Sequence, residues 1–371
     1  MKISLLSAFY PYRGGIAQFG AMLFRALEKD HDVKAFTFKR QYPGFLFPGS
    51  TQFVQDGDNA DPIRATRVLD TTNPLSFGKT ARVIKSLEPD LVISQYWMTF
   101  FGPAFGSVHK RLKGTKRITI LHNVIPHEKR FFDAPANRYF LKYNDGFVVM
   151  SDKVLADLLS IRPNAKYLRI DHPIYSQFGE RMKRTEALDQ LKLNEDRKYL
   201  LFFGFIRDYK GLDILLEALS GLSPNIHLII AGEVYGSFEK YDQIIKEREL
   251  VERVHIYDQY IADEAVSKFF SAADVCVLPY KGATQSGITA ISKHFELPSI
   301  VTDVGGLKEN VKHNETGLVV DSPRPHLIAN AIKAYYRDDL QEKFSLAIAG
   351  SKGEEGWDRF AEKIIEFAHT L

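Results

Sequence analysis

Tyr199-Leu200-Leu201-Phe202-Phe203-Gly204-Phe205-Ile206-Arg207-Asp208-Tyr209-Lys210-Gly211-Leu212 is the stretch on which the fold turns. Leu200-Leu201-Phe202-Phe203 is apolar without alternation, as expected of a strand buried on both faces. Gly204 and Gly211 punctuate a loop carrying two cations, Arg207 and Lys210, and a helical pattern follows over Leu212–Leu219. Strand, glycine-bearing loop and helix in that order make the first part of a βαβ unit.

Further strand candidates continue the pattern downstream at His227–Gly232, Val254–Tyr257, Asp274–Pro279, Ser299–Asp303 and Gly317–Val320. Upstream, a separate series reads Lys2–Ser7, Val33–Phe38, Leu91–Ser94, Arg117–His122 and Gly146–Met150. Segments of helical period alternate with them, among them Gly20–Lys29, Ala262–Ala272, Ile288–Phe295 and Pro325–Tyr336. Alternation of this kind predicts two α/β sheets of parallel strands. Residues 172–198 hold no strand candidate, so the boundary is expected near His172-Pro173. The predicted organisation is one domain over 1–172, a second over 173–350, and a terminal helix over 351–371. Open α/β sheets bind ligands beyond the carboxyl ends of their strands, and two such sheets facing each other would form a cleft.

Composition narrows the class. Hydrophobic residues make up 45% and charged residues 26% of the 371, the balance of a globular protein. No apolar run reaches the roughly 18 residues of a membrane span. The single cysteine, Cys276, has no partner for an internal disulfide, and no Cys/His cluster has zinc spacing. A cytoplasmic protein is expected. Net charge is +3, but residues 1–170 hold 25 Lys+Arg against 14 Asp+Glu, leaving 24 against 32 for the rest, so the halves carry +11 and −8. The densest basic run, His109 to Arg117, is either a solvated helix end or a footprint for an anionic membrane or acidic acceptor. No nucleic-acid motif accompanies it.

Four glycine-bearing loops fall at predicted strand ends. Tyr10-Pro11-Tyr12-Arg13-Gly14-Gly15 leads into a helix, where paired glycines allow close backbone approach to a ligand or simply make a tight turn. The loop holding Arg207 and Lys210 could grip an anion, or carry two solvated charges. Tyr280-Lys281-Gly282-Ala283-Thr284-Gln285-Ser286-Gly287-Ile288 has the composition of a phosphate-binding helix start capped by Thr284 or Ser286. Asp303-Val304-Gly305-Gly306-Leu307 is the fourth. Asp56-Gly57-Asp58, the one Asp-x-Asp triplet, reads as a surface turn, and no metal site is expected.

With these residues in view, the second half resembles the nucleotide-sugar domain of the retaining glycosyltransferases of family four. The resemblance is carried by Phe203-Gly204, Arg207, Lys210-Gly211-Leu212, Ala231-Gly232-Glu233, Ala273-Asp274-Val275, Leu278-Pro279, the run from Pro298 to Leu307, Glu309-Asn310 and Gly317-Leu318. The first half is similar more loosely, through Tyr10-Pro11, Gly14-Gly15 and Leu121-His122-Asn123. The resemblance implies a GT-B fold of two Rossmann-like domains, with the last helix crossing back to the first. It implies a nucleotide diphosphate sugar as donor, a glycan or lipid-linked acceptor, and no cofactor; the charge of the first half and its basic run add an anionic membrane, at its inner face, as a candidate peripheral contact. Arg207, Lys210 and His122 are then the implied catalytic residues. Gly14, Gly15, Gly204, Gln285, Ser286, Gly287, Ile288 and Glu309 are the implied donor contacts. Tyr12, Tyr96 and Trp97 are candidates for the acceptor or sugar pocket, with core packing as the other reading of the aromatic stretch after the third strand candidate.

Two departures stand out. The glutamates that many members carry before the helix preceding Pro298 are Ala283 and Ile291 here, as in the branch with a Thr-Gln-Ser-Gly loop. The arginine that often follows the strand-end glycine is replaced by Phe205, with Arg207 beyond it. A non-catalytic sugar-nucleotide binder, an epimerase and a phosphorylase are the rival readings.

Overall fold

The computed structural model describes residues 1–42, 51–54, 60–126, 131–174, 178–283, 286–351 and 356–371. The chain divides into two compact units. One comprises Met1–Asp56, Ala60–His172 and Gly356–Leu371, and the other is chiefly Pro173–Glu355.

In the first unit the order is β1 (Lys2–Leu6), α1 (Gly15–Leu27), β2 (Asp32–Arg40), β3 (Thr66–Asp70), α2 (Pro74–Lys85), β4 (Leu91–Tyr96), α3 (Gly102–Arg111), β5 (Lys116–Leu121), α4 (Asp133–Leu141), β6 (Gly146–Val149), α5 (Asp152–Ile161) and β7 (Tyr167–Arg169). Its seven strands lie in the order β3-β2-β1-β4-β5-β6-β7, every pair parallel. All six residues of β4 are buried, which is why that segment shows no polar alternation. The sequence reading places the interior strands β1, β2, β4, β5 and β6 but not β3 and β7. Both are edge strands: β3 exposes Thr66 and Arg67, and none of the three residues of β7 is fully buried. Their exposed polar residues leave no apolar run to detect.

The second unit runs α6 (Arg184–Leu191), β8 (Lys198–Phe203), α7 (Leu212–Ser220), β9 (Ile226–Ala231), α8 (Glu239–Glu247), β10 (Val254–Tyr257), α9 (Asp263–Ala272), β11 (Val275–Leu278), α10 (Gly287–His294), β12 (Ser299–Thr302), β13 (Gly317–Val320), α11 (Pro325–Arg337) and α12 (Leu340–Ser351). Its six parallel strands are ordered β10-β9-β8-β11-β12-β13. Leu200 and Phe202 of β8, Val275 and Val277 of β11, and Leu215 and Leu219 of α7 share one core.

The last helix, α13 (Trp357–His369), is part of the first unit and lies along α1. Its buried face presents Trp357, Phe360 and Ile364. The Phe19 ring meets Trp357 at 4.9 Å and Phe360 at 5.6 Å between centroids, both edge-on. Lys29 pairs with Asp358 at 2.6 Å, and Lys116 Nζ donates to the Ala368 carbonyl at 2.7 Å. That last bond, together with the paired donation of Arg117 to Asp145 at 2.9 Å, engages two cations of the basic run with the protein itself.

The chain turns back on itself at β1 in one sheet and at β8 in the other, because the strands on either side of each belong to opposite winding directions. At such a switch point the loops leaving adjacent strands diverge and open a crevice. In the second unit those are the loops after β8 and β11, which carry Arg207, Lys210 and Ser286.

Candidate active site

The loops after β8 and β11 are built against each other. A Cβ on Gly204 would lie 3.1 Å from Lys210 Nζ and 3.2 Å from Ile288 Cδ1, so the strand end, the ammonium and the first turn of α10 converge there. Gly211 has φ +72°, and a Cβ on it would lie 2.1 Å from the Pro279 carbonyl oxygen. Only glycine satisfies both that backbone region and that approach. The Lys281 N–H donates to the Tyr209 carbonyl at 2.7 Å, closing the junction.

Lys210 is only 7% exposed and has no carboxylate partner among the described residues. Its ammonium lies 5.6 Å from the centre of the Tyr280 ring. Burial, aided by the positive charge of Arg207, pushes it down to about 8. Arg207 is half-buried, its guanidinium 5.2 Å from the Tyr235 ring and 5.4 Å from the Tyr209 ring. Aromatic faces hold a cation without neutralising it. Two cations thus stand at the switch point, one of them desolvated, and neither has a counter-ion among the described residues.

α10 begins beside them. Ser286 caps it, its Oγ accepting from the Ile288 N–H at 3.3 Å and lying 3.4 Å from the Tyr280 hydroxyl. Gly287 and Ile288 form the first turn, whose N–H groups and helix dipole favour an anion. Thr284 and Gln285 lie outside the described residues, as does Asp56-Gly57-Asp58. Ala283 and Ile291 are 6% and 7% exposed, so these positions offer apolar surface and no carboxylate. Glu309 is half-buried on a short turn, Lys308–Asn310. Lys308 pairs with Asp303 at 3.0 Å.

In the first unit, Gly14 precedes α1 and Gly15 opens it, five residues earlier than the helical period predicts. Two of the aromatic candidates are buried. β4 continues to Tyr96, so that residue belongs to the sheet, fully buried with its hydroxyl donating to Asn137 Oδ1 at 2.7 Å. Tyr12 is 1% exposed and donates to the Phe38 carbonyl at 3.3 Å. Both are core residues. Trp97 is partly buried against the same core.

His122 follows β5 directly. Its Nε2 lies 2.9 Å from Gln95 Oε1, and its ring meets the edge of Phe19 at 4.7 Å. Burial, with His172 nearby, pushes it down to about 3. His109 of α3, bonded to Asn144 at 2.9 Å, is likewise pushed down to about 4 by burial. Both imidazoles are neutral when folded and protonate near pH 6.5 when unfolded. The unfolded state therefore binds more protons below pH 6.5, so stability is full above that pH and falls as pH drops towards about 4. Each histidine contributes up to about 1.4 kcal/mol per pH unit. Thermal melts between about pH 7 and 4 are expected to show this decline, with a shallower slope for His109→Gln and His122→Gln; parallel slopes would contradict the assignment.

Among the described residues no group of three or more His, Cys, Asp or Glu is arranged to hold a metal, and no helix is long and apolar enough to cross a membrane.

Two parallel-sheet, Rossmann-like units make this the GT-B fold. Residues 183–366 match the family Glycosyl transferases group 1, and that part of the chain is a domain of this family. An uncharacterized glycosyltransferase of Methanocaldococcus jannaschii is 24% identical over 372 aligned positions, covering 97% of this chain and 94% of that protein. Among solved structures, sucrose-phosphate synthase of Thermosynechococcus elongatus superposes with a TM-score of 0.78 at 18% identity, over 100% of this chain and 98% of that one. Anabaena HepE in complex with UDP and glucose gives 0.78 at 15% identity, over 100% of both chains.

Proposed function

We propose that the chain is a retaining glycosyltransferase that moves a sugar from a nucleotide diphosphate sugar to a glycan or lipid-linked acceptor. The observation that carries this reading is the buried ammonium of Lys210, uncompensated among the described residues, at the switch point of the second sheet beside the start of α10. Holding a desolvated charge there is costly, and an anionic ligand recovers the cost.

Departure of a nucleoside diphosphate builds negative charge on its terminal phosphate. Lys210 and Arg207 lower the energy of that charge, and the first-turn N–H groups of Gly287 and Ile288 add oriented dipoles. The donor reading extends to Gly204, Gln285, Ser286 and Glu309. On the first unit, Gly14 and Gly15 are proposed donor contacts and His122 a neutral hydrogen-bonding group for the sugar; with its pKa near 3 it is no proton donor at neutral pH. Cations and helix dipoles make a divalent metal unnecessary. HepE was captured with UDP and glucose, which makes UDP the first base to try. Trp97 is the remaining candidate for the acceptor side, and contact with an anionic membrane through Lys110, Arg111 and Lys113 belongs to the same proposal.

The test is a thermal-shift screen with UDP, GDP and ADP, followed by product analysis with the corresponding sugar donors. A ligand at a hundred times its Kd is expected to stabilise by about 2.7 kcal/mol. Transfer with retained anomeric configuration, undiminished by EDTA, is the expected result. Activity lost to EDTA and restored by magnesium would overturn the metal-free mechanism. Ligand stabilisation without transfer or hydrolysis would favour a binding protein, the reading that Ala283 and Ile291 also permit.

A further inference from the structure

The turn that carries Arg207 and Lys210 also carries a carboxylate, Asp208, between them in sequence. A free carboxylate there would be the nearest counter-ion for either cation and a competitor for any anionic ligand. The structure holds it elsewhere. Both Asp208 oxygens are engaged by lysines from other elements: Oδ1 by Lys240 of α8, and Oδ2 by Lys281 of the loop after β11 at 3.2 Å. Asp213 of α7 completes the cluster, its Oδ2 lying 2.7 Å from Lys281 and 3.9 Å from Lys240. Its other oxygen is buried without a partner among the described residues. These lysines hold Asp208 below the usual carboxylate range, Lys240 most strongly, whereas burial and then the charge of Arg207 are what depress Lys210.

Charge counting shows what this arrangement accomplishes. The two loops and their helices bring together four cations, Arg207, Lys210, Lys240 and Lys281, and two carboxylates, Asp208 and Asp213. Both carboxylates are taken up by Lys240 and Lys281. The excess of two positive charges is left on Arg207 and Lys210, at the end of β8.

We propose that Lys240, Lys281 and Asp213 are positioning residues that hold the Asp208 carboxylate away from Arg207 and Lys210, keeping those two cations available to the donor diphosphate. This rests on the reading of the loop as a diphosphate site. Without the lysines, Asp208 turns towards its neighbouring cations and acts as an internal competitor of the ligand.

The test is a mutant cycle, read by calorimetric titration with UDP, GDP and ADP, with thermal melts to confirm folding. Methionine in place of each lysine keeps the aliphatic stem and removes the charge. The variant Lys240→Met/Lys281→Met is expected to bind the preferred nucleoside diphosphate about tenfold more weakly, through the freed carboxylate. Adding Asp208→Asn is expected to bring affinity back to within about twofold of wild type, while Asp208→Asn alone changes it less than about twofold; the non-additivity is the signature. A purely structural ion cluster, or a long-range charge effect, gives additive changes and no selective rescue, and that result overturns the proposal. Arg207→Ala and Lys210→Ala separate it from the functional reading beneath it. If they weaken binding while the double lysine variant does not, the positioning role is wrong and the site stands. If they leave binding unchanged, the site is wrong and the positioning role falls with it.

Discussion

Replacing Lys210 by methionine is expected to lower turnover about a hundred- to thousandfold while making the folded protein more stable. The rate loss follows from removing a cation aimed at charge that develops only as the diphosphate departs, the kind of contact typically worth about 2.7–4 kcal/mol. Turnover should therefore fall more than donor affinity does. The gain in stability follows from burial. Lys210 is 7% exposed, has no carboxylate partner among the described residues, and is pushed from 10.5 to about 8. That depression corresponds to a penalty of ~3 kcal/mol on the charged form. Between pH 8 and 10.5 the folded state binds fewer protons than the unfolded state, so stability rises with pH through that window, and the penalty is present in full below pH 8. Methionine keeps the stem and removes the penalty. A structural lysine would behave oppositely, losing stability and keeping rate. Lys308→Met is the control, since that side chain pairs with exposed Asp303. Steady-state kinetics and chemical denaturation at about pH 7 measure both effects. Folded Lys210→Met with near wild-type turnover would move the active site elsewhere.

Alanine at Gly211 is expected to cost about 3 kcal/mol or more and to abolish donor binding. The residue sits at φ +72°, and its new Cβ would lie 2.1 Å from the Pro279 carbonyl oxygen. The backbone region alone costs roughly 1 kcal/mol for an L side chain. The collision is the larger contribution, because the atom in the way is backbone at the exit of β11 and cannot rotate aside. Relief requires the loops after β8 and β11 to separate, which displaces Lys210 from the start of α10. Gly236→Ala isolates the first contribution: φ is +96° and nothing lies within 4 Å of its Cβ, so about 1 kcal/mol is expected. Denaturant melts of the two variants, with titration of a nucleoside diphosphate, make the comparison. Equal, small losses would mean the loops part easily and that their junction does not set the site.

The interior of both sheets was legible in the sequence because doubly covered strands are uniformly apolar. Leu91-Val92-Ile93 and Leu200-Leu201-Phe202-Phe203 announce themselves in this way, and the glycine-bearing loops were found as the segments that follow such runs. The edges of the first sheet were not: Thr66–Asp70 carries an arginine and an aspartate because one side of it is wet, whereas Val254–Tyr257 and Gly317–Val320, the edges of the second, were legible too. The strand expected over Leu91–Ser94 runs on to Tyr96, which places that side chain in the core, the second of the two readings open for the aromatic stretch. Arg207 and Lys210 were visible as cations in a strand-end loop, but their lack of counter-ions was not, since it depends on where Asp208 points. The residues that hold Asp208 lie 32 and 73 positions further along, in Lys240 and Lys281, and no local pattern links them. The aromatic neighbours of Arg207 were missed as well. Tyr235 follows the strand-end glycine of β9, and its position beyond a parallel strand was the one signal available.

Titration calorimetry at about pH 7 and pH 9.5, with the nucleoside diphosphate that gives the largest thermal shift, tests the central claim most directly. A bound diphosphate raises the pKa of Lys210 above its free value of about 8, so binding takes up a proton at alkaline pH and affinity falls as pH rises past 8. Wild-type protein is expected to bind about tenfold more weakly at the higher pH, and Lys210→Met to bind weakly at both with little change between them. The same pH dependence in both proteins, or equal affinity of the two at pH 7, would contradict the placement of the diphosphate at Lys210.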